Sequence, residues 1–516
     1  MHGYLPIPYL VLALLLPTRC YSSWAEHTLS TMSCTEKIGQ LIAARVESSD
    51  SPENLLTLLM RYKVGSIIPL QYWTLAEHTA LIANAKKINP KIPLLVLEDA
   101  EWGTHMHISE IPAFPKAMTL AATCNQDSLI YNVGFAIGTQ CSSLGIHINL
   151  APVLDVNSNS LNPVIGMRSF GDSEQLVTAY ASAYAQGLCD AGIIPCLKHF
   201  PGHGRTHTDP HITLPILTGN MATHDKEEIL CPFFNLMQSL PCAVMVGHIA
   251  YPALEPDGAI RPAIVSHSLI TDLLSKKMAH NGLIISDALN MGALTEYGNT
   301  DDIALAALKA GIDILLCPPD IEAVIQRIVQ ALDNGEYTQQ ELDTHVLKIL
   351  MTKESCGLHQ CAVTHLKQEH NTSPLNLYKD LIQEAYDAAA TAHYDFTSTR
   401  TLNNEQTSVT LGLPNTLATP LYTDTHAYEK PLRIYLYPGT YKTHRLTQEI
   451  KHTLAQIATQ YPGSMVLLFG SPYCLMDIPS NLPTLVLYED TPYTHITAEK
   501  ILTGLLEPRG RLPIIL

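Results

Sequence analysis

The chain has 516 residues, of which 46% are hydrophobic and 15% are charged, and its formal net charge is −17. This length predicts two or three domains, although one α/β barrel can use about 250 residues. The acidic balance and the lack of a basic stripe in the sequence argue against a nucleic-acid-binding protein. The sequence has no low-complexity tract, which argues against extensive disorder.

The N-terminal segment is apolar over residues 9–16. A run this short is typical of the core of a signal peptide and is too short for a membrane span. We therefore expect residues 1–25 to be a signal peptide, the protein to be exported to the periplasm or beyond, and no stable membrane span. The alternative is a cytoplasmic protein whose apolar N-terminus packs on the domain that follows.

Helical segments and short apolar runs alternate from about residue 36 onward. Eight of the runs are strand candidates, at 39–46, 64–70, 92–98, 146–156, 193–199, 243–248, 283–287 and 312–317. They contain few polar residues, as expected of parallel strands that are buried on both faces. Amphipathic segments such as 53–62 and 75–87 lie between them. Eight successive βα units predict an α/β protein with a (β/α)₈ barrel over residues 26–358.

A smaller α/β domain is predicted after the barrel. A helical pattern covers residues 339–353, and residues 359–400 are expected to form a polar linker and a helix. Further strand candidates follow at 409–413, 433–437, 465–469 and 484–488. With a helical pattern at 446–459 between them, residues 401–516 have the size and the pattern of a separate α/β domain.

Twelve cysteines are scattered along the chain without a Cys-x-x-Cys pair. Cys196, Cys242 and Cys317 lie in apolar runs, which favours buried free thiols over a disulfide framework. This interpretation conflicts with export into an oxidising compartment.

Polar side chains occupy the C-terminal ends of the predicted strands, where the active site of such a barrel lies. They are Asp99 at the third strand, Arg168 beyond the fourth, Lys198 and His199 at the fifth, His248 at the sixth and Asp287 at the seventh. A barrel that required only stability would not collect these groups on one rim. The sequence therefore predicts a functional site at this end of the barrel.

Four histidines spaced by four residues follow the fifth strand, from His199 to His211. On a helix this spacing would suit a metal, but the prolines and glycines between the histidines oppose a helix. We therefore expect a glycine-rich loop with neither a metal nor another cofactor. The loop carries Asp209 and His211, and an aspartate that orients a histidine makes a competent general acid/base near neutral pH.

Residues 198–204 read KHFPGHG, residues 162–171 read NPVIGMRSFG and residues 282–293 read GLIISDALNMGA. These segments resemble those of family 3 glycoside hydrolases, specifically the β-N-acetylhexosaminidase branch. Residues 198–204 precede Asp209-Pro210-His211, which is similar to the branch signature K-H-F-P-G-H-G, four residues, then D-S-H. Residues 282–293 resemble the nucleophile segment of the family, and residues 162–171 resemble its N-P-V-I-G-x-R-S-F-G segment. Residues 36–41 resemble the start of the family's barrel and residues 310–313 resemble its last strand, while a weaker similarity to the C-terminal domain of longer members lies at 510–513.

The resemblance implies a retaining β-N-acetylhexosaminidase that hydrolyses terminal β-linked N-acetylglucosamine, with peptidoglycan fragments as the expected source. Asp287 would be the nucleophile, and His211, oriented by Asp209, would act as acid/base in place of a second carboxylate. The residues expected to hold the sugar are Asp99, Arg168, Lys198, His199 and His248. The expected partner is therefore a glycan or muropeptide that contains N-acetylglucosamine.

The sequence departs from the family pattern at three points, one of which is that the chain continues beyond the single barrel of many bacterial members. Pro210 replaces the serine between Asp209 and His211, and the loop after the third strand reads Asp99-Ala-Glu-Trp-Gly103 in place of D-x-E-G-G-R. Three alternatives stay open: a phosphorylase, a β-glucosidase without acetamido preference, and a non-catalytic carbohydrate-binding barrel. The phosphorylase is considered because a neutral histidine repels phosphate less than a carboxylate does.

Overall fold

The structure is a computed structural model that describes residues 23–50, 52–88, 91–124, 126–217, 223–360, 378–394, 396, 408–412, 431–440 and 442–516. Residues 1–22 of the expected signal peptide lie outside these ranges, as do residues 361–377 and 397–400 of the expected linker. Within the described ranges, no helix is both long enough and apolar enough to cross a membrane.

Eight parallel strands in the described part of the chain form the barrel. They are β1 Ile42–Glu47, β2 Ser66–Leu70, β3 Leu95–Glu98, β4 Ile148–Asn149, β5 Ile194–Phe200, β6 Ala243–Val246, β7 Ile284–Ser286 and β8 Leu315–Leu316. They lie side by side in the order β7-β6-β5-β4-β3-β2-β1-β8, and a bridge between Ile285 and Ile314 joins the two ends. The eight predicted strands and the barrel are confirmed.

The fourth strand is much shorter than the apolar run that predicted it. Pro152 follows β4 closely and has no N–H to donate to a ladder. Beyond it a single parallel bridge joins Val153 to Lys198, and the Leu154 N–H donates to the Lys198 carbonyl. A continuous apolar run therefore indicates that a segment lies in the barrel wall, but it does not define how many of its residues pair with the neighbouring strands.

Fourteen α-helices are present in the described ranges. They are α1 Trp24–Thr31, α2 Cys34–Gln40, α3 Pro52–Leu56, α4 Leu75–Ile88, α5 Ala117–Ala121, α6 Asp127–Ser143, α7 Glu174–Asp190, α8 Thr223–Ser239, α9 Thr300–Ala310, α10 Ile321–Asp333, α11 Gln339–Ser355, α12 Lys379–Ala389, α13 Gln448–Gln460 and α14 Pro492–Leu502. Capping boxes begin α2 at Ser33 and α11 at Thr338. The helix predicted at 53–62 is α3, which a π-helical turn, Thr57–Arg61, continues.

A second sheet follows the barrel and comprises five strands in the described residues. They are β9 Thr391–His393, β10 Ser408–Gly412, β11 Arg433–Tyr437, β12 Met465–Leu468 and β13 Thr484–Val486. The order is β10-β11-β12-β13-β9, in which β10 to β13 run parallel and β9 is antiparallel to β13. The four predicted strands are confirmed, while β9 is too short to produce a readable pattern.

The three cysteines in the predicted apolar runs are buried and unpaired. Cys196 lies on β5, and Cys242 and Cys317 lie next to β6 and β8. Burial raises the pKa of the Cys242 thiol and of the Cys317 thiol, each to about 12. Because thiolate is the reactive form, both thiols are protected from oxidation at neutral pH.

Lys353 of α11 is buried under the N-terminal ends of the first strands. Its Nζ donates to Gln40 Oε1 at 2.5 Å and to the Gly65 carbonyl at 2.9 Å, and burial lowers its pKa to about 7. An unfolded lysine titrates near about pH 10.4, so the unfolded state binds more protons between these values. The contribution of Lys353 to the free energy of unfolding must therefore rise as the pH increases above 7. Below pH 7 the ammonium is charged in both states, and the full cost of burying it applies.

We expect Lys353→Met to remove this rise. The free energy of unfolding of the wild type should gain about 2–3 kcal/mol between about pH 7 and pH 9.5 relative to the variant. Urea unfolding at both pH values measures this difference, and Lys309→Met, a change on the surface, controls for other titrating groups. A difference between wild type and Lys353→Met that is the same at both pH values would show that Lys353 does not titrate in this window.

Candidate active site

The sequence-predicted site residues lie at the C-terminal face of the barrel. Asp99 and Asp287 directly follow β3 and β7, Lys198 and His199 lie near the end of β5, and His248 follows β6. Arg168 ends a 3₁₀ turn, Gly166–Arg168, in the loop after β4, and Asp209 and His211 lie in the loop after β5. The fold therefore brings to one rim residues that are far apart in the sequence.

Four charged side chains form a network on this rim. Lys198 Nζ lies 2.7 Å from Asp99 Oδ1 and 2.7 Å from Glu101 Oε1. Arg168 donates two hydrogen bonds to Glu101, from Nε to Oε2 at 3.0 Å and from Nη2 to Oε1 at 2.7 Å. Burial opposes ionisation of Glu101, but Arg168 and Lys198 hold its pKa well below the usual range. Glu101 is therefore ionised at neutral pH, and it orients both cations.

Lys198 and Asp99 differ in their access to solvent. The Lys198 side chain is 2% exposed, whereas that of Asp99 is 29% exposed. Burial lowers the pKa of Lys198, but Asp99 and Glu101 outweigh it and raise the pKa. The network thus holds a fixed, desolvated ammonium next to a carboxylate that a ligand can reach, an arrangement suited to a polyhydroxylated molecule.

A buried carboxylate, Asp155, orients His199. His199 Nδ1 lies 2.7 Å from Asp155 Oδ2, and Asp155 Oδ1 accepts the backbone N–H of His203. Burial raises the pKa of Asp155, but His199, His203 and their hydrogen bonds lower it overall. With Nδ1 bonded to Asp155, His199 presents Nε2, which lies 3.5 Å from Arg168 Nη2.

Asp287 is an ionised carboxylate at the end of β7. Burial raises its pKa, but His248, His199, the Ala288 N–H and Lys198 together lower it overall. Ala288 N donates to Asp287 Oδ1 at 2.8 Å. His248 is fully buried, its pKa is lowered by that burial, and its Nε2 lies 2.9 Å from the Ala288 carbonyl. His248 therefore holds the backbone next to Asp287.

Asp209 and His211 form a hydrogen-bonded pair. His211 Nδ1 lies 2.7 Å from Asp209 Oδ1, and the same oxygen accepts the His211 backbone N–H at 2.9 Å. Partial burial raises the pKa of Asp209, but its hydrogen bonds with His211, the His211 charge and Lys442 lower it overall. The His211 side chain is 62% exposed. Asp209 thus fixes the proton on Nδ1, and Nε2 is the nitrogen that can exchange a proton with a ligand.

Backbone contacts dock the loop that bears this pair onto the neighbouring strand ends. The Ala293 N–H donates to the Pro210 carbonyl at 2.9 Å, and the Ala250 N–H donates to Pro215 at 2.9 Å. A Cβ on Gly292 would lie 2.4 Å from the His211 carbonyl oxygen, so only glycine permits this approach. His211 therefore lies beside the segment that begins with Asp287, which the sequence alone could not establish.

Glu101 and Asp155 are site residues that the sequence reasoning did not select. Each lies close to the C-terminal end of a predicted strand, Glu101 two residues after Asp99 and Asp155 beyond β4. This position near a strand end was the feature of the sequence that could have identified both residues. Neither residue stands out by type, because their role is to orient Lys198, Arg168 and His199.

Residues 33–352 match the family model described as the Glycosyl hydrolase family 3 N terminal domain. The chain belongs to glycosyl hydrolase family 3. Beta-hexosaminidase A of Pseudoalteromonas piscicida is 32% identical over 343 residues, which are 60% of this chain and 56% of that protein. Beta-hexosaminidase LpqI of Mycobacterium tuberculosis (strain ATCC 25618 / H37Rv) is 33% identical over 341 residues, 63% of this chain and 85% of that protein.

A solved structure matches this chain over both domains. The family 3 β-N-acetylglucosaminidase from Paenibacillus sp. str. FPU-7 is 23% identical, has a TM-score of 0.77, and covers 94% of this chain and 99% of its own. The barrel followed by a smaller α/β domain is thus an architecture that family 3 members share. The match to the Pseudoalteromonas relative spans only 56% of its length, so it supports the family and leaves the activity to be argued from the site.

Proposed function

We propose that this protein is a retaining β-N-acetylhexosaminidase that removes terminal β-linked N-acetylglucosamine from peptidoglycan fragments. The observation that carries the proposal is the docking of the Asp209–His211 pair beside the segment that begins with Asp287. A retaining glycosidase needs a nucleophile and an acid/base at the same glycosidic bond. The hexosaminidase names of two family 3 relatives support an N-acetyl sugar as substrate.

The proposed reaction has two steps. An Asp287 carboxylate oxygen attacks C1, the bond between C1 and the leaving oxygen breaks, and His211 Nε2 gives its proton to that oxygen. In the second step Nε2 takes a proton from a water molecule whose oxygen attacks C1, and the bond to Asp287 breaks. Asp209 remains bonded to Nδ1 in both steps and stabilises the imidazolium form.

The remaining rim residues are assigned to the sugar. Asp99 and Lys198 offer a carboxylate and an ammonium to hydroxyl groups, and His199 and Arg168 complete a row of polar groups. His248 acts on the other side, where it holds the Ala288 backbone next to the nucleophile. An N-acetyl sugar would thus be fixed by groups whose own orientation is set by Glu101 and Asp155.

Export is part of the proposal. Residues 9–16 have the length and composition of a signal-peptide core, and the buried thiols on the barrel are shielded from an oxidising compartment. The first residue of the mature protein, read by mass spectrometry after expression of the full chain, tests this point. A protein that keeps Met1 and stays in the cytoplasm contradicts it.

The His211→Ala variant tests the acid/base assignment. We expect kcat/KM for natural disaccharide substrates to fall by about 10²–10⁴-fold, because general acid/base catalysis contributes that much. A glycoside with a good leaving group, such as 4-nitrophenol, needs less proton donation and should lose less in the first step. Release of N-acetylglucosamine, measured for both substrate classes, checks this expectation.

His267→Ala is the matched control for this variant. His267 pairs with Asp272 at 3.3 Å and is as exposed as His211, but it lines a groove with Lys309 of α9 and Arg327 of α10 on the outer helices. Its removal should leave kcat/KM unchanged. Equal activity of wild type and His211→Ala on both substrate classes would exclude His211 as acid/base, and a folded wild type that releases no sugar would favour the carbohydrate-binding alternative.

Product analysis with and without inorganic phosphate separates hydrolysis from phosphorolysis. We expect free N-acetylglucosamine in both cases, since the Asp209 carboxylate that pairs with His211 would repel a phosphate acceptor at the proposed acid/base. A sugar 1-phosphate formed only when phosphate is present would identify a phosphorylase that uses the same Asp287 and His211.

A further inference from the structure

The loop that carries Arg168 is held by the second domain. This loop, residues 157–171, leaves β4 and runs over the C-terminal face of the barrel, and we call it the β4 loop. Asn157 closes it at the base, because its backbone N–H donates to the Gly171 carbonyl at 2.9 Å. Its side-chain Oδ1 accepts the Gly166 N–H at 3.3 Å, directly before the turn that ends at Arg168.

Tyr473 of the second domain binds Asn157 through two hydrogen bonds. Asn157 Nδ2 donates to the Tyr473 hydroxyl oxygen at 2.6 Å, and the hydroxyl donates to the Asn157 carbonyl at 3.3 Å. Both residues are buried. The phenol therefore satisfies two buried polar groups of the β4 loop that would otherwise lose their partner.

Two further contacts hold the same loop against the second domain. Met167, the neighbour of Arg168, is fully buried in a hydrophobic cluster that contains Leu432, Leu446 and Tyr473 of that domain. Gly166 has φ of +44° and packs against His444, whose Cε1 would lie 2.4 Å from a Cβ at that position. The backbone directly before Arg168 is thus fixed from outside the barrel.

We infer that Tyr473 is a positioning residue for sugar binding, through which the second domain sets the orientation of Arg168. The phenol holds Asn157, Asn157 holds Gly166, and the turn that begins at Gly166 presents Arg168 to Glu101. Because Glu101 also binds Lys198, a displaced β4 loop disturbs both cations. The inference rests on the proposed function, since it assigns Arg168 and Lys198 to the substrate.

Tyr473→Phe tests the inference, and Tyr488→Phe is its matched control. Tyr488 is also buried in the second domain and belongs to the same hydrophobic cluster, but its hydroxyl bonds to Thr391 at 2.8 Å and not to the barrel. We expect Tyr473→Phe to raise KM for 4-nitrophenyl N-acetyl-β-glucosaminide by about five- to tenfold with kcat changed by less than about twofold. Tyr488→Phe should lower the melting temperature about as much as Tyr473→Phe does, but its KM should equal that of the wild type.

Amide hydrogen exchange of the β4 loop gives a second readout that does not depend on activity. It should be faster in Tyr473→Phe than in the wild type and in Tyr488→Phe. If Tyr473→Phe and Tyr488→Phe show the same amide exchange in the β4 loop and the same KM, Tyr473 has only a structural role and the inference is wrong. If the wild type is inactive but Tyr473→Phe still speeds amide exchange in the β4 loop, the proposed function is overturned. The coupling of the second domain to Arg168 is then still supported.

Discussion

Asp287→Asn is expected to lower kcat for N-acetyl-β-glucosaminides by more than about 10³-fold, since loss of a covalent nucleophile costs up to about 10⁶-fold in other enzymes. The amide preserves the shape of the carboxylate and can still accept the Ala288 N–H. It removes the negative charge that His248, His199 and Lys198 favour at this position. Release of 4-nitrophenol and the affinity for N-acetylglucosamine, measured side by side, should show lost turnover with binding retained.

Asp320→Asn controls for the chemical change. Asp320 follows β8 on the same rim, where its Oδ1 accepts the Ala323 N–H and caps α10. Asparagine caps a helix as well as aspartate does, so this variant should keep the activity of the wild type. If Asp287→Asn retained turnover within about tenfold of the wild type, the covalent intermediate would have to form elsewhere or not at all.

The strand ends explain why the positions of many candidate site residues were predictable. Parallel strands that are buried on both faces produce apolar runs, and the first polar residues after such a run lie at the mouth of the barrel. Asp99, Lys198, His199, His248 and Asp287 were found in this way, since each lies at or next to the end of a run. The spacing of these runs predicted the barrel for the same reason.

Contacts between distant segments were not predictable, because they depend on distances that no local pattern encodes. The sequence placed Asp209 and His211 in a loop, but the hydrogen bond from Ala293 to Pro210 is what docks that loop on the segment that begins with Asp287. In the same way, the bond between Asn157 and Tyr473 joins residues that are 316 positions apart. The short strand β9 was missed because three residues are too few to show a period.

The orienting carboxylates were missed for a related reason. Glu101 and Asp155 are acidic residues near strand ends, as several residues without a role in the site are. Their importance follows from the number of hydrogen bonds and ion pairs that each carboxylate accepts. Only the folded structure defines that number. Glu101 holds Arg168 and Lys198, and Asp155 holds His199 and the His203 backbone.

Glu101→Gln is therefore expected to affect stability and binding together. The variant leaves the buried Lys198 ammonium and the Arg168 guanidinium with Asp99 as the remaining carboxylate of the network. Breaking a buried ion pair on one side costs about 3–5 kcal/mol, and the free energy of unfolding in urea should fall by that amount. Because the pKa of Glu101 lies well below its unfolded value, this contribution is complete at neutral pH and is lost only in acid, below about pH 4.

Binding distinguishes the role of Glu101 from that of a structural ion pair. Asp313→Asn removes another buried carboxylate, which precedes β8 at the end of the barrel opposite the rim and pairs with Lys348 at 2.6 Å and with His345 at 2.8 Å. We expect that variant to lose stability with an unchanged KM, whereas Glu101→Gln should also raise KM for the N-acetyl-β-glucosaminide by about tenfold or more, since a charged hydrogen bond to the sugar is misplaced. If the two variants lost stability alike and both kept the KM of the wild type, Glu101 would stabilise the barrel rim without orienting Lys198 and Arg168 for the substrate.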